Sequence, residues 1–353
     1  MRYTSSKNTT ITKFNQKRFR SSQIEKYPVI LRASQRNNFL ECPRRYYYGY
    51  VAKVESTRTD IQNPPHLSYG TAIHKVLEGF YSLPAERRTL KYLQSKWREC
   101  VRENDLDSDY KEMGLYMLEN YFYTYNETDS NNFETVCTEK RLYMPVKTPI
   151  GEVLLTGQID GLWFEKNTGK LFVVDHKTYN SFPNDWFFET NGQMYAYFQL
   201  LEYNGLLPSG FIFNILRKTA PQKPELNKDG SLSIKNSNIS EKKFLDAAKK
   251  FNIDLNEERY VKYLASIRDN PLFRRAEFEN NREKTKANSK QLKLESIMLL
   301  TQYKHGFVPN FGDHCGMCAF KELCDLQNNG ATLTNIIKST DSIRVKGTII
   351  EPD

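Results

Sequence analysis

The stretch running from Gly157-Gln158-Ile159-Asp160 to Val173-Val174-Asp175-His176-Lys177 decides how this chain is read. Both ends are strand-like, and the Asn167-Thr168-Gly169-Lys170 turn between them predicts two adjacent strands. Residues 171–174 form an unbroken apolar run, as expected of a strand buried on both faces. Asp160 falls near the middle of its strand and Asp175 at the end of the next, so the two carboxylates can converge on one point. Residues two apart on a strand leave the same face, which sets Lys177 beside Asp175. Asp160, Asp175 and the backbone carbonyl of His176 are hard oxygen donors suited to Mg²⁺ or Mn²⁺. Lys177 would sit beside a bound water, orienting and deprotonating it. Phosphodiester hydrolysis needs such a water together with a cation facing the developing charge. Asp-x-Lys alone is common in solvated hairpins. The apolar run before Asp175 singles this one out, because burying an unpaired carboxylate is costly.

Working outward, residues 136–146 and 152–165 flank the Thr148-Pro149-Ile150-Gly151 turn and should pair as a hairpin. Downstream, a helix over 186–202 precedes an apolar strand over 211–216. Strand, helix, strand is the order of a right-handed crossover, hence a mixed α/β sheet flanked by helices. Upstream, residues 34–51 read as a helix with Ser34 as its N-cap. A second helix opens near Gly70, with Ile73, Val76, Leu77 and Phe80 at helical spacing, and charged, aromatic-rich helices fill 90–125. Residues 219–239 read as a polar insertion, and two more helical stretches are expected over 241–267 and 285–303. Trp186, Phe187 and Phe188 read as core rather than as a stacking platform. The expected organisation is a flexible tail over 1–28, one domain over 29–327, and a C-terminal tail over 328–353.

His74 follows Gly70 on the second helix, either as a satisfied core residue or as a metal ligand through an imidazole nitrogen. Gln193 and Tyr197 share a helix face, which either aims at DNA or Lys177 or makes ordinary polar contacts. Taken together, Gly70-x-x-x-His74, Gly157-x-x-Asp160, Asp175-x-Lys177 and Gln193-x-x-x-Tyr197 resemble, in order and approximate spacing, the RecB-type branch of the PD-(D/E)XK nucleases. The resemblance spans about residues 32–327. It implies a restriction-endonuclease-like core, with His74, Asp160 and Asp175 as metal ligands and Lys177 as the catalytic lysine. It makes Gln193 and Tyr197 accessory catalytic residues. The third motif carries Asp175, where the family accepts Asp or Glu, and Glu139 on the preceding strand offers a further carboxylate.

Of the six cysteines, Cys315, Cys318 and Cys324 cluster near the C-terminus, while Cys42 stands alone in Glu41-Cys42-Pro43. Four thiolates suit either Zn²⁺ or a [4Fe–4S] cluster. One distant cysteine with a close trio resembles the iron–sulfur nucleases of the same superfamily, among them the CRISPR-adaptation nuclease and one AddAB subunit. That resemblance implies a cluster stapling the two ends of the domain, with zinc as the alternative. Cys100 and Cys137 match no pattern, and His314 beside Cys315 is a weaker ligand candidate. Arg44, Arg45 and Tyr46-Tyr47-Tyr48 suit either a single-stranded DNA contact or an amphipathic helix with buried tyrosines.

The chain has 353 residues and a net charge of +9, a balance that suits a polyanion such as DNA. Mean hydropathy is −0.67, no long uncharged apolar stretch occurs, and the basic, polar start lacks a signal-peptide pattern. The expectation is a soluble, cytoplasmic protein without a membrane partner. Phage DNA processing, repair and spacer acquisition are the candidate roles. The sequence expects metal-dependent DNA hydrolysis, and the iron–sulfur relatives imply exonuclease action on single strands or free ends. A non-cleaving DNA-binding or assembly module of the same fold is the rival. No Gly-x-x-x-x-Gly-Lys-Ser/Thr occurs, so a helicase or recombination motor would have to be a partner.

Overall fold

The computed structural model describes residues 19–56, 65–269, 271–339 and 343–350. Its strands are β1 (Ile30–Arg32), β2 (Val54–Ser56), β3 (Phe133–Thr148), β4 (Gly151–Glu165), β5 (Leu171–Tyr179), β6 (Gly210–Arg217), β7 (Phe273–Glu279) and β8 (Ile343–Val345). Six form one mixed sheet in the order β1-β4-β5-β6-β7, with β3 also on β4. β3 and β4 make the expected hairpin, and β5 runs parallel to β6 across the helical connection.

The pairing of β4 is what positions the site. One edge is followed by β3 along almost its whole length. The other is shared, because β1 pairs with residues 154–156 and β5 with residues 161–164. Gly157-Gln158-Ile159-Asp160 lies in the gap, where β4 and β5 part.

Both sheet faces are covered, as the apolar run in β5 requires. Leu171 and Val173 face one core with Phe211, Phe213, Ile215, the Gly192–Tyr203 helix and the Arg282–His305 helix. Phe172 and Val174 face the other, with Ile212, Trp163 and the Pro65–Ser82, Leu90–Glu103 and Ser108–Asn132 helices. Ile73, Val76, Leu77 and Phe80 are all buried there, and each such side chain contributes about 1.5–3 kcal/mol.

The helices depart from expectation where backbone chemistry interrupts the apolar pattern. Residues 34–51 are not one helix capped by Ser34. They form a 3₁₀ turn (Ala33–Gln35), two α segments (Arg36–Glu41 and Pro43–Tyr46) and a π turn (Tyr47–Val51). Pro43 disfavours helical geometry in the residue before it, and Cys42 is extended at φ −156° and ψ 108°. The second helix begins at Pro65, so Gly70 lies inside it. Its missing side chain matters for packing, since a Cβ there would stand 3.2 Å from Thr178 Oγ1 on β5. The stretch 186–202 splits into Asp185–Glu189 and Gly192–Tyr203, the second capped by Asn191, whose Oδ1 accepts from the Gln193 amide at 2.9 Å. Residues 241–267 likewise split into Glu241–Lys250 and Glu258–Asp269.

The stretch read as a C-terminal tail is part of the fold. Leu333–Ser339 is a helix that buries Leu333 and Ile336 in the main core. β8 pairs antiparallel with β2, and the Gly347 and Thr348 amides donate to the Ala52 and Val51 carbonyls at 2.7 and 3.0 Å. At Gly347 a Cβ would meet the Val51 carbonyl oxygen at 1.9 Å, so only glycine fits. Of the expected N-terminal tail, residues 1–18 lie outside the described residues. The rest includes a short helix, Ser21–Ile24. Among the described residues, no helix is long and apolar enough to cross a membrane.

Candidate active site

Where β4 loses its neighbour, backbone groups need other partners. The His176 amide on β5 donates to Asp160 Oδ2 at 2.7 Å, so a carboxylate stands in for a ladder carbonyl. The Gln158 carbonyl accepts from the Tyr197 hydroxyl at 2.7 Å, and Gln193 Nε2 donates to that hydroxyl at 2.8 Å. The Gln193–Tyr197 face is thus aimed at the gap, and Tyr197 lies close enough to Asp175 and Asp160 for both to act on its hydroxyl. Gly157 makes room for it, because a Cβ would sit 2.6 Å from the Tyr197 ring.

The four central side chains meet in this notch. His74 Nδ1 lies 3.2 Å from Asp160 Oδ2. Lys177 Nζ lies 2.9 and 2.7 Å from the two Asp175 oxygens. Burial works against charge on all of them, and pairing overcomes it at every group except Asp175. Burial pushes Asp160 up, but the charge and hydrogen bond of His74, with Lys177, hold it well below the usual carboxylate range. Burial lowers His74, and Asp160 more than offsets this, so the imidazole is raised. Lys177 is also raised, because Asp175 and Asp160 outweigh desolvation. Asp175 is raised, by burial first and then by Asp160, against the pull of Lys177.

Carboxylate and imidazole groups are the donor types a divalent cation takes. Asp175 Oδ2 is buried and accepts no hydrogen bond, since the ammonium reaches it off the bonding direction. Both contacts of Asp160 fall on Oδ2. Among the described residues, no three His, Cys, Asp or Glu side chains are gathered around a single point. In the notch, the Lys177 ammonium supplies the counter-charge to Asp175.

Two further carboxylates border the notch. Glu139 accepts from Gln158 Nε2 and adopts φ +46°, which is uncommon for a residue with a side chain. Burial raises its carboxyl, and Asp160 and Glu78 add to the shift. Glu78 went unnoticed in the sequence, although its spacing from His74 puts both on one helix face. A buried polar network also escaped notice, because its members are far apart in sequence. The His176 ring turns away from Lys177, accepts from Asn214 Nδ2 at 2.8 Å and stacks on Tyr81. Burial, aided by His74 and Arg275, drops this imidazole to about 3 against the pull of Asp160, so it is neutral. Beyond it, Arg275 and Tyr81 both donate to Asp129, at 2.7 and 2.6 Å.

The cysteines converge elsewhere. Cys42, Cys315, Cys318 and Cys324 line one cavity, with Arg44 and Tyr48 in its wall. Arg44 bonds the Phe307 carbonyl at 3.1 Å and Asn328 Oδ1 at 2.6 Å, and stands 3.7 Å from the Cys324 sulfur. Thiolates are soft donors of the kind a metal centre takes, but among the described residues no three of these cysteines are gathered around a single point. Burial pushes the Cys318 thiol up, partly offset by a backbone hydrogen bond at Phe320 and by Arg45. His314 also borders the cavity, with Nε2 at 2.9 Å from the Asn310 carbonyl and so protonated there. Tyr46, Tyr47 and Tyr48 are buried core residues, which resolves that stretch as an aromatic anchor for the cavity. Cys100 is fully buried in the helical core. The expectation that Trp186 and Phe187 are core does not hold. Trp186 is 72% and Phe187 45% exposed, and only Phe188 turns inward.

The chain belongs to the PD-(D/E)XK nuclease superfamily, whose family model matches residues 31–325. It is therefore of a class whose members are metal-dependent nucleases. Among solved structures, "Crystal structure of SSO0001" aligns over 84% of this chain and 86% of its own, at 11% identity and a TM-score of 0.37. No curated protein matches the sequence.

Proposed function

We propose that this chain is a Mg²⁺- or Mn²⁺-dependent deoxyribonuclease of the RecB-type branch, acting as an exonuclease on single-stranded or free-ended DNA. The observation that carries the reading is the meeting of His74, Asp160, Asp175 and Lys177 where β4 and β5 part. His74, Asp160, Asp175 and the His176 carbonyl hold the cation. When bound, it supplies a Lewis acid and a water of lowered pKa. Lys177, kept as an ammonium by its carboxylates, donates to the attacking water or a phosphate oxygen and faces the charge that builds up. This refines its expected role, since a charged ammonium orients the water without taking its proton. Gln193 and Tyr197 keep Gln158, and so Asp160, in register. The four cysteines would hold a [4Fe–4S] cluster in preference to Zn²⁺, since one distant cysteine with a close trio resembles the iron–sulfur nucleases of the superfamily. On duplex DNA a helicase partner supplies strand separation.

The test is anaerobic purification, an absorption spectrum, and a Mn²⁺-dependent assay on end-labelled DNA beside Lys177→Ala. Absorption near about 400 nm is expected of the four-cysteine cluster. Cleavage should fall at least about a hundredfold in the variant. Undiminished cleavage by Lys177→Ala would remove the proposed site. Colourless, zinc-loaded protein that still cuts would discard the cluster alone. Protein that binds DNA but never cuts would be a non-cleaving binding module.

A further inference from the structure

Asp175, Lys177 and Tyr179 leave the same face of β5, and that face continues into two exposed aromatic rings. Lys177 and Asp175 both act electrostatically on the Tyr179 hydroxyl. The Phe187 ring stands edge-on to Tyr179, with centroids 6.3 Å apart, and Trp186 is its neighbour on the Asp185–Glu189 helix. The four residue steps from Asp175 to Tyr179 span about 13 Å, the rise of roughly four stacked nucleotides in one strand.

The segment bearing these rings is held firmly. Arg274 Nη1 donates to the Pro183 carbonyl at 2.9 Å, and Asn184 Oδ1 caps the helix by accepting from the Phe187 amide at 3.0 Å. Phe188 anchors it from below, packed on Phe213 with centroids 4.6 Å apart. Its two carboxylates are neutralised, Asp185 by Arg274 and Glu189 by Lys284. A fixed, charge-compensated aromatic surface beside a phosphodiester-cleaving notch, on a chain of net charge +9, suits one occupant.

We infer that Trp186 and Phe187 are a base-stacking platform that grips single-stranded DNA a few nucleotides from the scissile phosphate. The inference rests on the nuclease reading of the notch for the path of the strand. Every base has a π-face, so stacking here gives affinity without sequence preference. It favours unpaired over paired DNA, because duplex bases already stack on one another.

Tryptophan fluorescence reads the platform directly. Of the three tryptophans, Trp97 and Trp163 are buried, so quenching by a strand reports on Trp186. The experiment titrates the full chain, without added divalent cation, with oligodeoxythymidylate and with an abasic strand of equal length. Quenching by oligodeoxythymidylate is expected, and by anisotropy of a dye-labelled strand Trp186→Ala should bind it roughly tenfold or more weakly. Abasic binding, set by phosphate contacts, should change by less than about twofold. Phe187→Ala should repeat the pattern. Undiminished oligodeoxythymidylate binding by both variants, or equal losses on both strands, would overturn the platform. The nuclease reading fails separately, through Lys177→Ala cutting as well as its parent.

Discussion

At the notch, every central side chain comes from a strand or helix whose place the sheet and its two cores already set. The cysteine cavity is assembled from Cys42 on one segment and Cys315, Cys318 and Cys324 on another, from opposite ends of the domain. In the notch, His74, Asp160, Asp175 and Lys177 neutralise one another through direct pairing before any cation arrives. Around the cysteines, charge compensation is sparser, with Arg44 beside Cys324. On the proposed reading, one site is held in place by its own ion pairs, and the other would gain order on metal binding, with binding free energy adding to folding.

The sharpest test of this division is a pair of variants. Asp175→Asn should abolish Mn²⁺-dependent cleavage in an end-label assay while leaving the urea midpoint and iron content near the parent's. Cys318→Ser should do the reverse. Iron analysis should show the metal lost and soluble yield reduced, while the remaining folded protein still cuts. If Cys318→Ser abolished cleavage in protein that stayed folded, the two regions would not be separable.

Arg36 links them. It makes a two-pronged buried pair with Glu295 at 2.7 and 2.9 Å, bonds the Gly192 carbonyl at 2.7 Å, and begins the segment that leads to Cys42. Arg36→Ala strands a buried carboxylate and should cost about 3–5 kcal/mol in urea denaturation. Arg36→Met with Glu295→Leu should recover most of that. Gly157→Ala pushes a methyl into Tyr197 and should cost about 1–3 kcal/mol, with slower cleavage as Asp160 shifts. Tyr197→Phe is the mildest, about 1 kcal/mol for the lost bond to the Gln158 carbonyl, with a small decrease in rate.

The notch was largely legible in the sequence because its motifs sit on long strands and helices with strong periodicity. β5 sets Lys177 beside Asp175, and the Pro65–Ser82 helix sets His74 beside Asp160. The surroundings were harder to read. β2 and β8 have three residues each, too few to show alternation. β7 reads Phe-Arg-Arg-Ala-Glu-Phe-Glu, and its two arginines hid an edge strand that buries Phe273 and Ala276. Pro43 broke a helix that apolar spacing alone would extend. Trp186 and Phe187 looked like core because composition cannot say which side of a short helix faces water.

The pairing of β2 with β8 also has a meaning in time. The notch strands emerge from the ribosome before the C-terminal trio and before β8. Cys42 waits for some 270 residues of synthesis until Cys315 appears, roughly 15–55 seconds at 5–20 residues per second. By the end of that interval the strands that carry Asp160, Asp175 and Lys177 have been made, while β2 still lacks its partner. The clasp at Gly347 closes late in the birth of the molecule, after the strands of the notch have been made.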